Sequence, residues 1–339
     1  MKFRKYTSIE NSSLKSFIEK IEKDGFANEE FVVQEKVHGS NLSILTNGKE
    51  IRFAKRTEII DDEVSFFHVH LLRNKYEQRI INLFESLKSE FEIETLTVFG
   101  EYFGGYYPHT SVTKNTSAKT IQKGVFYSQN NDFYAFDILV NNHRYLDVDT
   151  CNRFFSSNDF IYAHTLFRGD LRSCLTFNNE FQSTIPTLLQ LPKLEDNVCE
   201  GVIIRPVKPL FLSSGSRILL KNKNEKWSEK SKSSDKERLK KHVLEEIKLS
   251  KEGDYLLDEL LKLINENRFS NVASKVGEIE FPRDLGKMTG LMSKDILQDF
   301  LKEFESSYVA LEKSEQKIIT KKLNQGVGLF LKEKLPSKF

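Results

Sequence analysis

The spacing of apolar residues changes once along this 339-residue chain, near Lys223, and that change constrains the fold more than any other feature. Before it, apolar residues recur mainly at every second position, in short runs. "FVVQEKV" (31–37) and "NLSILT" (41–46) alternate in this way, and Asn47-Gly48 follows before "EIRFAKR" (50–56). A period of two is that of a half-buried strand, and Asn-Gly suits the tight turn of a hairpin. These segments are expected as successive antiparallel strands with a hairpin.

Residues 67–91 read as helical. "EIETLTVFGEYFGG" (92–105) is expected to end a strand in glycines, and the polar stretch 110–124 is expected as a loop. "DFYAFDILV" (132–140) is a further strand, with Phe133, Ala135 and Asp137 alternating against Tyr134, Phe136 and Ile138. "EGVIIRP" (200–206) and "SRILLKNK" (216–223) complete the series. Strands separated by uneven, sometimes helical insertions suit an α+β domain with largely antiparallel sheets, not an orderly βαβ series.

After Lys223 comes "NEKWSEKSKSSDKERLKK", poor in apolar residues and rich in Lys and Ser. Residues 224–237 read as a linker or hinge, or equally as a solvated surface loop, and either allows a boundary between a domain of residues 1–235 and a small all-helical domain at 238–339. In the latter, "DYLLDELLKLI" carries an apolar stripe. "SKDILQDFLKEF" begins with Ser293 as an expected N-cap and Asp295 in the first turn, with Ile296, Leu297, Phe300, Leu301 and Phe304 as a core face.

Charge limits the partners. Lys+Arg of 51 against Asp+Glu of 49 gives only +2, so any nucleic-acid surface must be a local patch. The three cysteines, Cys151, Cys174 and Cys199, are far apart and odd in number, which argues against a disulfide framework. No apolar run approaches the roughly 20 residues of a membrane span, so no membrane partner and a cytoplasmic address are the default expectations.

The candidate chemistry centres on Lys36, which ends a strand two residues before a His-Gly pair. A lysine amine becomes a nucleophile when desolvation or cationic neighbours favour its neutral form. Taken alone, K-x-H-G fits a surface lysine equally well, with Gly39 allowing phosphates to approach. Arg56 ends the strand after the hairpin and could hold a phosphate bidentately. Glu101 lies at a strand end among glycines that would admit a ligand, and Glu200 opens "EGVIIRP". Lys221 and Lys223 are two apart on a strand and share one face, an arrangement suited to phosphates. Phe136 reads either as core or as a plate stacked on a purine, and Arg205 as a strand-end charge.

The ordered set "EKVHGSN", "AKRT", "VFGEYFGG", "DFYAFDI", "EGVIIRP" and "ILLKNK" resembles the covalent nucleotidyltransferase superfamily of ATP-dependent ligases and capping enzymes. More narrowly, it resembles the double-strand-sealing "ligase 2" family of RNA ligases. "NRFSNVASKVGEI" and "DLGKMTGLMSKDIL" resemble that family's helical domain, so the likeness runs from about residue 2 to about 300.

The resemblance implies that Lys36 forms a lysyl-N-AMP bond. Glu35 and Val37 would address the adenine through backbone and local contacts, with Asn41 and Arg56 near ribose and phosphate. Glu101 would contact the ribose, Phe136 would stack on the adenine, and Glu200 would bind a divalent metal. Lys221 and Lys223 would handle phosphates. Arg56, Arg268, Asp295 and Asp299 would serve RNA-end sealing. The implied cofactors are ATP and Mg²⁺ (or Mn²⁺). The implied partners are nicked double-stranded RNA or RNA/DNA-bridged ends, met by a monomer. Arg205 stands where some relatives carry lysine, and Asp299 where a glutamate can occur. A DNA ligase, a capping guanylyltransferase and a non-catalytic nucleic-acid-binding module are the alternatives. The first two usually place an OB-fold after the lysine-bearing motif, where this chain turns helical.

Overall fold

The computed structural model describes residues 1–61, 63, 66–227 and 249–334. Two compact units divide the chain, Met1–Lys226 and Trp227–Phe339. Of the expected linker, residues 228–237 lie outside the described residues, as does the expected boundary at 235/238.

The first unit carries two mostly antiparallel sheets. One has the order β1-β11-β10-β2-β9, formed by Glu10–Asn11 (β1), Phe31–Glu35 (β2), Thr165–Gly169 (β9), Gly201–Pro206 (β10) and Leu220–Lys223 (β11). The other has the order β4-β3-β5-β6-β7, formed by Ser40–Thr46 (β3), Ile51–Lys55 (β4), Leu96–Tyr106 (β5), Ser128–Val140 (β6) and Arg144–Tyr145 (β7), with Ile161–Tyr162 (β8) beside β6. Among the described residues, only β1–β11 and β6–β8 pair in parallel. The mixed, largely antiparallel α+β architecture read from the sequence is therefore the one observed.

Helices cover the outer faces. Helix α1 (Lys15–Lys23) buries Phe17 and Ile21 against Phe31, Val33, Val202, Ile204 and Leu220 of the first sheet. Helix α2 (His70–Lys88) buries Leu72, Tyr76, Ile80, Leu83, Phe84 and Leu87, a stripe at helical spacing, against Leu42, Ile44, Phe53, Val98 and Phe133 of the second. The inner faces share a smaller cluster of Tyr6, Phe99, Leu139, Tyr145 and Leu219.

Two strand expectations need correction. The β3–β4 hairpin forms, with Thr46 opposite Ile51, but β2 does not pair with β3. The chain leaves the first sheet after Glu35 and enters the second at Ser40, so Lys36, Val37, His38 and Gly39 are the crossing. Alternation reports which face of a strand is buried and carries no information about which sheet it joins.

On β6, Phe99 pairs with Asp137 and Gly100 with Ala135, leaving Phe136 as the extra residue of a β-bulge. The bulge breaks the period of two. Phe133, Ala135 and Ile138 belong to the core under α2, while Phe136 packs on the Tyr6 cluster and Asp137 bonds the Tyr6 hydroxyl.

Among the described residues, the regular elements of the second unit beyond Leu249 are all helices: α3 (Lys251–Leu261), α4 (Glu266–Val276), α5 (Leu285–Ala310) and α6 (Lys313–Lys332). Leu256, Leu257, Leu260, Leu261, Ile296, Phe300, Leu323 and Val327 form its core, with Leu297, Leu301 and Phe304 packed against it. Ser293 is not an N-cap. Helix α5 begins eight residues earlier, because Met288 and Met292 extend the apolar stripe toward the N-terminus and both are fully buried. Asp295 is consequently mid-helix. Among the described residues, no helix is long and apolar enough to cross a membrane.

Candidate active site

Lys36 occupies the crossing between the sheets. Its backbone N–H still donates to the Gly201 carbonyl at 2.9 Å, which anchors it to β10 after β2 has ended. Its Nζ donates to Glu200 Oε2 at 2.6 Å. Lys223, one residue across from Gly201 in register, places its Nζ 2.9 Å from Glu200 Oε1. His38 Nδ1 lies 3.7 Å from Glu200 Oε2. One buried carboxylate thus faces two ammonium groups and an imidazole. Burial alone would raise the Glu200 pKa, but Lys223, Lys36 and His38 outweigh it and hold the carboxyl well below the usual carboxylate range. Burial pushes the His38 imidazole down to about 4, only partly opposed by Glu200, so the ring is neutral at ordinary pH.

The second sheet supplies the facing wall. Asn41 on β3 is in register with Glu101 on β5, and Glu101 with Tyr134 on β6, so the three side chains share one face. That face turns toward the first sheet, since the Tyr134 hydroxyl reaches the Glu35 carbonyl at 3.5 Å. Burial pushes the Glu101 carboxyl up to about 7, with Lys36 pulling it down, Glu200 pushing it up and Arg56 pulling it down. Arg56, one residue beyond β4, is thereby within electrostatic reach of the same carboxylate.

Two glycines near the site allow close approach of backbone. A Cβ on Gly39 would lie 2.2 Å from the Tyr102 carbonyl oxygen, so this residue lets the crossing press against β5. Gly104, at φ +95°, would place a Cβ 2.0 Å from the Asn130 carbonyl oxygen on the neighbouring strand. At both positions the absence of a Cβ lets neighbouring backbone pack closely.

The remaining residues sort by surroundings. Glu35 points away from Lys36, as strand alternation requires, and its carboxylate accepts from Ser183 Oγ (2.7 Å), Thr184 N (2.8 Å) and Thr184 Oγ1 (2.6 Å). Val37 is buried. Lys221 shares the face of Lys223 on β11, opposite Ile203. Phe136 is half-buried with its ring centroid 5.0 Å from that of Tyr6. Arg205 is not a solvent-facing strand end: it is buried against Phe136 and Asp137. In the helical unit, Arg268 Nη1 donates to Asp295 Oδ2 (2.8 Å) and Asp299 Oδ2 (2.6 Å), and Lys275 Nζ to Asp295 Oδ1 (2.5 Å). Those three predicted residues come together as one buried-guanidinium cluster.

Sequence reasoning missed His38 as a member of the site, and Tyr127, whose buried hydroxyl accepts from the His38 N–H at 2.9 Å. His38 was visible in the K-x-H-G run. Tyr127 carried no signal, because its position depends on how the 107–127 excursion folds back.

The Glu101 carboxyl yields a pH test. Its folded pKa of about 7 exceeds its ordinary 4.5, so the native state keeps the proton longer than the unfolded chain. Stability from this group is therefore present below about 4.5 and is lost as pH rises through about 7. The melting temperature of Glu101→Gln minus that of the natural protein, without nucleotide, is expected to grow from pH 5 to pH 8. A difference that stays flat would show that Glu101 titrates normally.

Comparison with known proteins identifies the family of the chain. Residues 29–223 match the RNA ligase family model, and residues 246–327 match the model of the T4 RNA ligase 2 C-terminal region. The chain is 30% identical over 362 residues to the mitochondrial RNA-editing ligase 1 of Trypanosoma brucei brucei, covering 90% of this chain and 76% of that protein. To RNA-editing ligase 2 of the same organism it is 28% identical over 369 residues, covering 94% and 88%. A solved Naegleria gruberi RNA ligase with PPi aligns at a TM-score of 0.43 and 18% identity, over 66% of this chain and 57% of that one. The chain thus spans little more than half the length of that solved ligase. With the RNA ligase model covering every strand of the two sheets but β1, and the helical unit matched separately, the chain belongs to the RNA ligase family.

Proposed function

We propose that this ligase seals 3′-OH/5′-phosphate nicks in duplex or bridged RNA through an AMP carried on Lys36. The observation that carries the reading is the Lys36–Glu200–Lys223 cluster, set where the chain crosses between two sheets and faced by Glu101 and Arg56. In the first step the Lys36 ammonium gives up a proton to solvent, its neutral Nζ attacks the α-phosphorus of ATP, an N–P bond forms, and the bond to pyrophosphate breaks. AMP then passes to the 5′-phosphate of an RNA end. The facing 3′-OH displaces AMP and closes the phosphodiester.

Each step concentrates charge on non-bridging phosphate oxygens, which cations fixed in advance stabilise. Lys223, Lys221 and Arg56 are those cations. Asn41 and Glu101 address the ribose, Phe136 stacks on the adenine, and Glu35 and Val37 meet the base through backbone and local contacts. Glu200, kept ionised, is the carboxylate that would hold Mg²⁺ or Mn²⁺. A single protein carboxylate fits a cation that takes its other ligands from phosphates and water, and among the described residues no group of three or more ligating side chains gathers. When bound, the ion would supply charge neutralisation for the phosphates.

Arg268, Asp295 and Asp299 serve the RNA end and not the adenylylation step. The domains are read as 1–235 and 238–339, the protein as a monomer, and its setting as cytoplasmic, in keeping with three buried free cysteines. A gel assay on matched RNA/RNA, RNA/DNA and DNA/DNA nicks tests the reading. Asp295→Ala is expected to lower sealing by at least about tenfold, the worth of one charge-assisted contact, while AMP labelling of Lys36 is unchanged. Equal loss of both steps would overturn the division of labour, and sealing confined to DNA/DNA nicks would overturn the RNA substrate.

A further inference from the structure

The bulge at Phe136 is gripped from the opposite sheet. Arg205 on β10 sends Nη1 to the Phe136 carbonyl oxygen (2.9 Å) and Nη2 to Asp137 Oδ1 (3.1 Å). The other carboxylate oxygen, Asp137 Oδ2, accepts from Arg217 Nη1 (2.6 Å) and the Tyr6 hydroxyl (2.9 Å). Arg217 is in turn stacked 3.7 Å over the Tyr145 ring. All four polar partners, Tyr6, Asp137, Arg205 and Arg217, are buried, Asp137 completely. The Tyr6 ring packs on Phe136 at 5.0 Å and 57°, backing the half-exposed ring with an aromatic face.

We propose that Arg205 is a positioning residue for nucleotide binding: its guanidinium fixes the bulged backbone of Phe136 while Tyr6 backs the ring, which together hold that ring as a ready-made stacking plate. The inference rests on the reading that Phe136 stacks on the adenine.

Three features support it. A bulge residue lacks the two-sided pairing that fixes an ordinary strand position, so its carbonyl needs a partner from elsewhere. Arg205 supplies that partner and, with the same rigid fork, ties it to the adjacent carboxylate. A lysine, with one flexible point charge, reaches one of those acceptors and not both in fixed geometry. The clamp also bridges the sheets. β10, which begins beside Glu200 and the Lys36 anchor, is the strand that carries Arg205, so one strand registers both the nucleophile and the plate. A purine meeting a pre-set ring loses less freedom on binding than one that must order it.

The test measures KM for ATP and kcat of Lys36 adenylylation in the full chain. Arg205→Lys is expected to raise KM about tenfold, the worth of one charge-assisted hydrogen bond, with kcat within about twofold. Tyr6→Leu, which removes the backing ring, is expected to act in the same direction, and Tyr6→Phe, which keeps the ring, to stay near the natural KM. Phe136→Leu separates the two levels of the reading. If Phe136→Leu itself leaves KM unchanged, the stacking role fails. If Phe136→Leu raises KM but Arg205→Lys and Tyr6→Leu do not, the positioning role fails alone. In the double variant Phe136→Leu/Arg205→Lys the effects must be non-additive, because both act through one ring. Full additivity overturns the inference, since a purely structural defect adds independently. Should Arg205→Lys fold poorly, the Tyr6→Leu and Tyr6→Phe pair decides the same question.

Discussion

Lys36→Ala is expected to show no covalent AMP adduct by intact-mass spectrometry after incubation with ATP and Mg²⁺. The alanine removes the nucleophile, and no water or hydroxyl at that position can form the N–P bond. Lys36→Arg makes the same point while keeping the positive charge opposite Glu200. A guanidinium stays protonated and has no lone pair to offer, so it too is expected to give no adduct. The informative alternative is Lys223. Its Nζ sits on the other oxygen of Glu200, 2.9 Å away, and is the second amine at this carboxylate. Peptide mapping that found AMP on Lys223, or an adduct surviving in Lys36→Ala, would refute the assignment. An RNA already carrying a 5′-adenylyl group needs no lysyl intermediate, so Lys36→Ala is expected to retain part of the sealing activity on that substrate. Loss there as well would mean that the substitution damages the pocket and not only the nucleophile.

Much of this site was legible because its residues sit at strand ends in ordered short motifs. Lys36, Arg56, Glu101, Glu200 and Lys223 were named from sequence, and the structure brings them around one carboxylate pair. What alternation could not convey was the sheet to which each strand belongs. β2 and β3 are separated by four residues and read as neighbours, yet the connection crosses from one sheet to the other. That crossing is what aims Lys36 between them.

The bulge was hidden for a related reason. "DFYAFDI" contains no glycine or proline to mark a break, and only the pairing of Phe99 with Asp137 and Gly100 with Ala135 exposes Phe136 as the extra residue. Arg205 and Asp137 looked like a strand-end charge and a strand residue, because their pairing spans 68 positions in sequence. Ser293 misled through local chemistry. A serine followed by an acid two residues later imitates a helix start, but the buried Met288 and Met292 carry the helix through it. Packing overrode the local signal, as it does when an apolar stripe continues on both sides.

Glu200→Ala is expected to impair both folding stability and adenylylation, and the two effects separate by experiment. In the natural protein the carboxylate lies between Lys36 and Lys223, with His38 3.7 Å away. Removing it leaves Lys223, whose side chain is only 9% exposed, without its buried counter-charge. Breaking one partner of such a pair costs on the order of 3 kcal/mol. The sign with pH follows from the depressed carboxyl pKa. The stabilisation is present above the ordinary value of 4.5 and is lost as pH falls toward the lower folded value, so the gap in melting temperature between the natural protein and Glu200→Gln is expected to shrink on acidification. Adenylylation is expected to fall by roughly 100-fold or more if the same carboxylate also holds the metal. A titration with Mg²⁺ divides the two roles. As a metal ligand, Glu200→Gln shifts half-maximal activation to higher Mg²⁺ and Glu200→Asp shifts it less. As a charge-balancing group alone, Glu200→Gln loses stability with its Mg²⁺ requirement unchanged, and that result would remove Glu200 from the metal site while leaving Lys36 as the nucleophile.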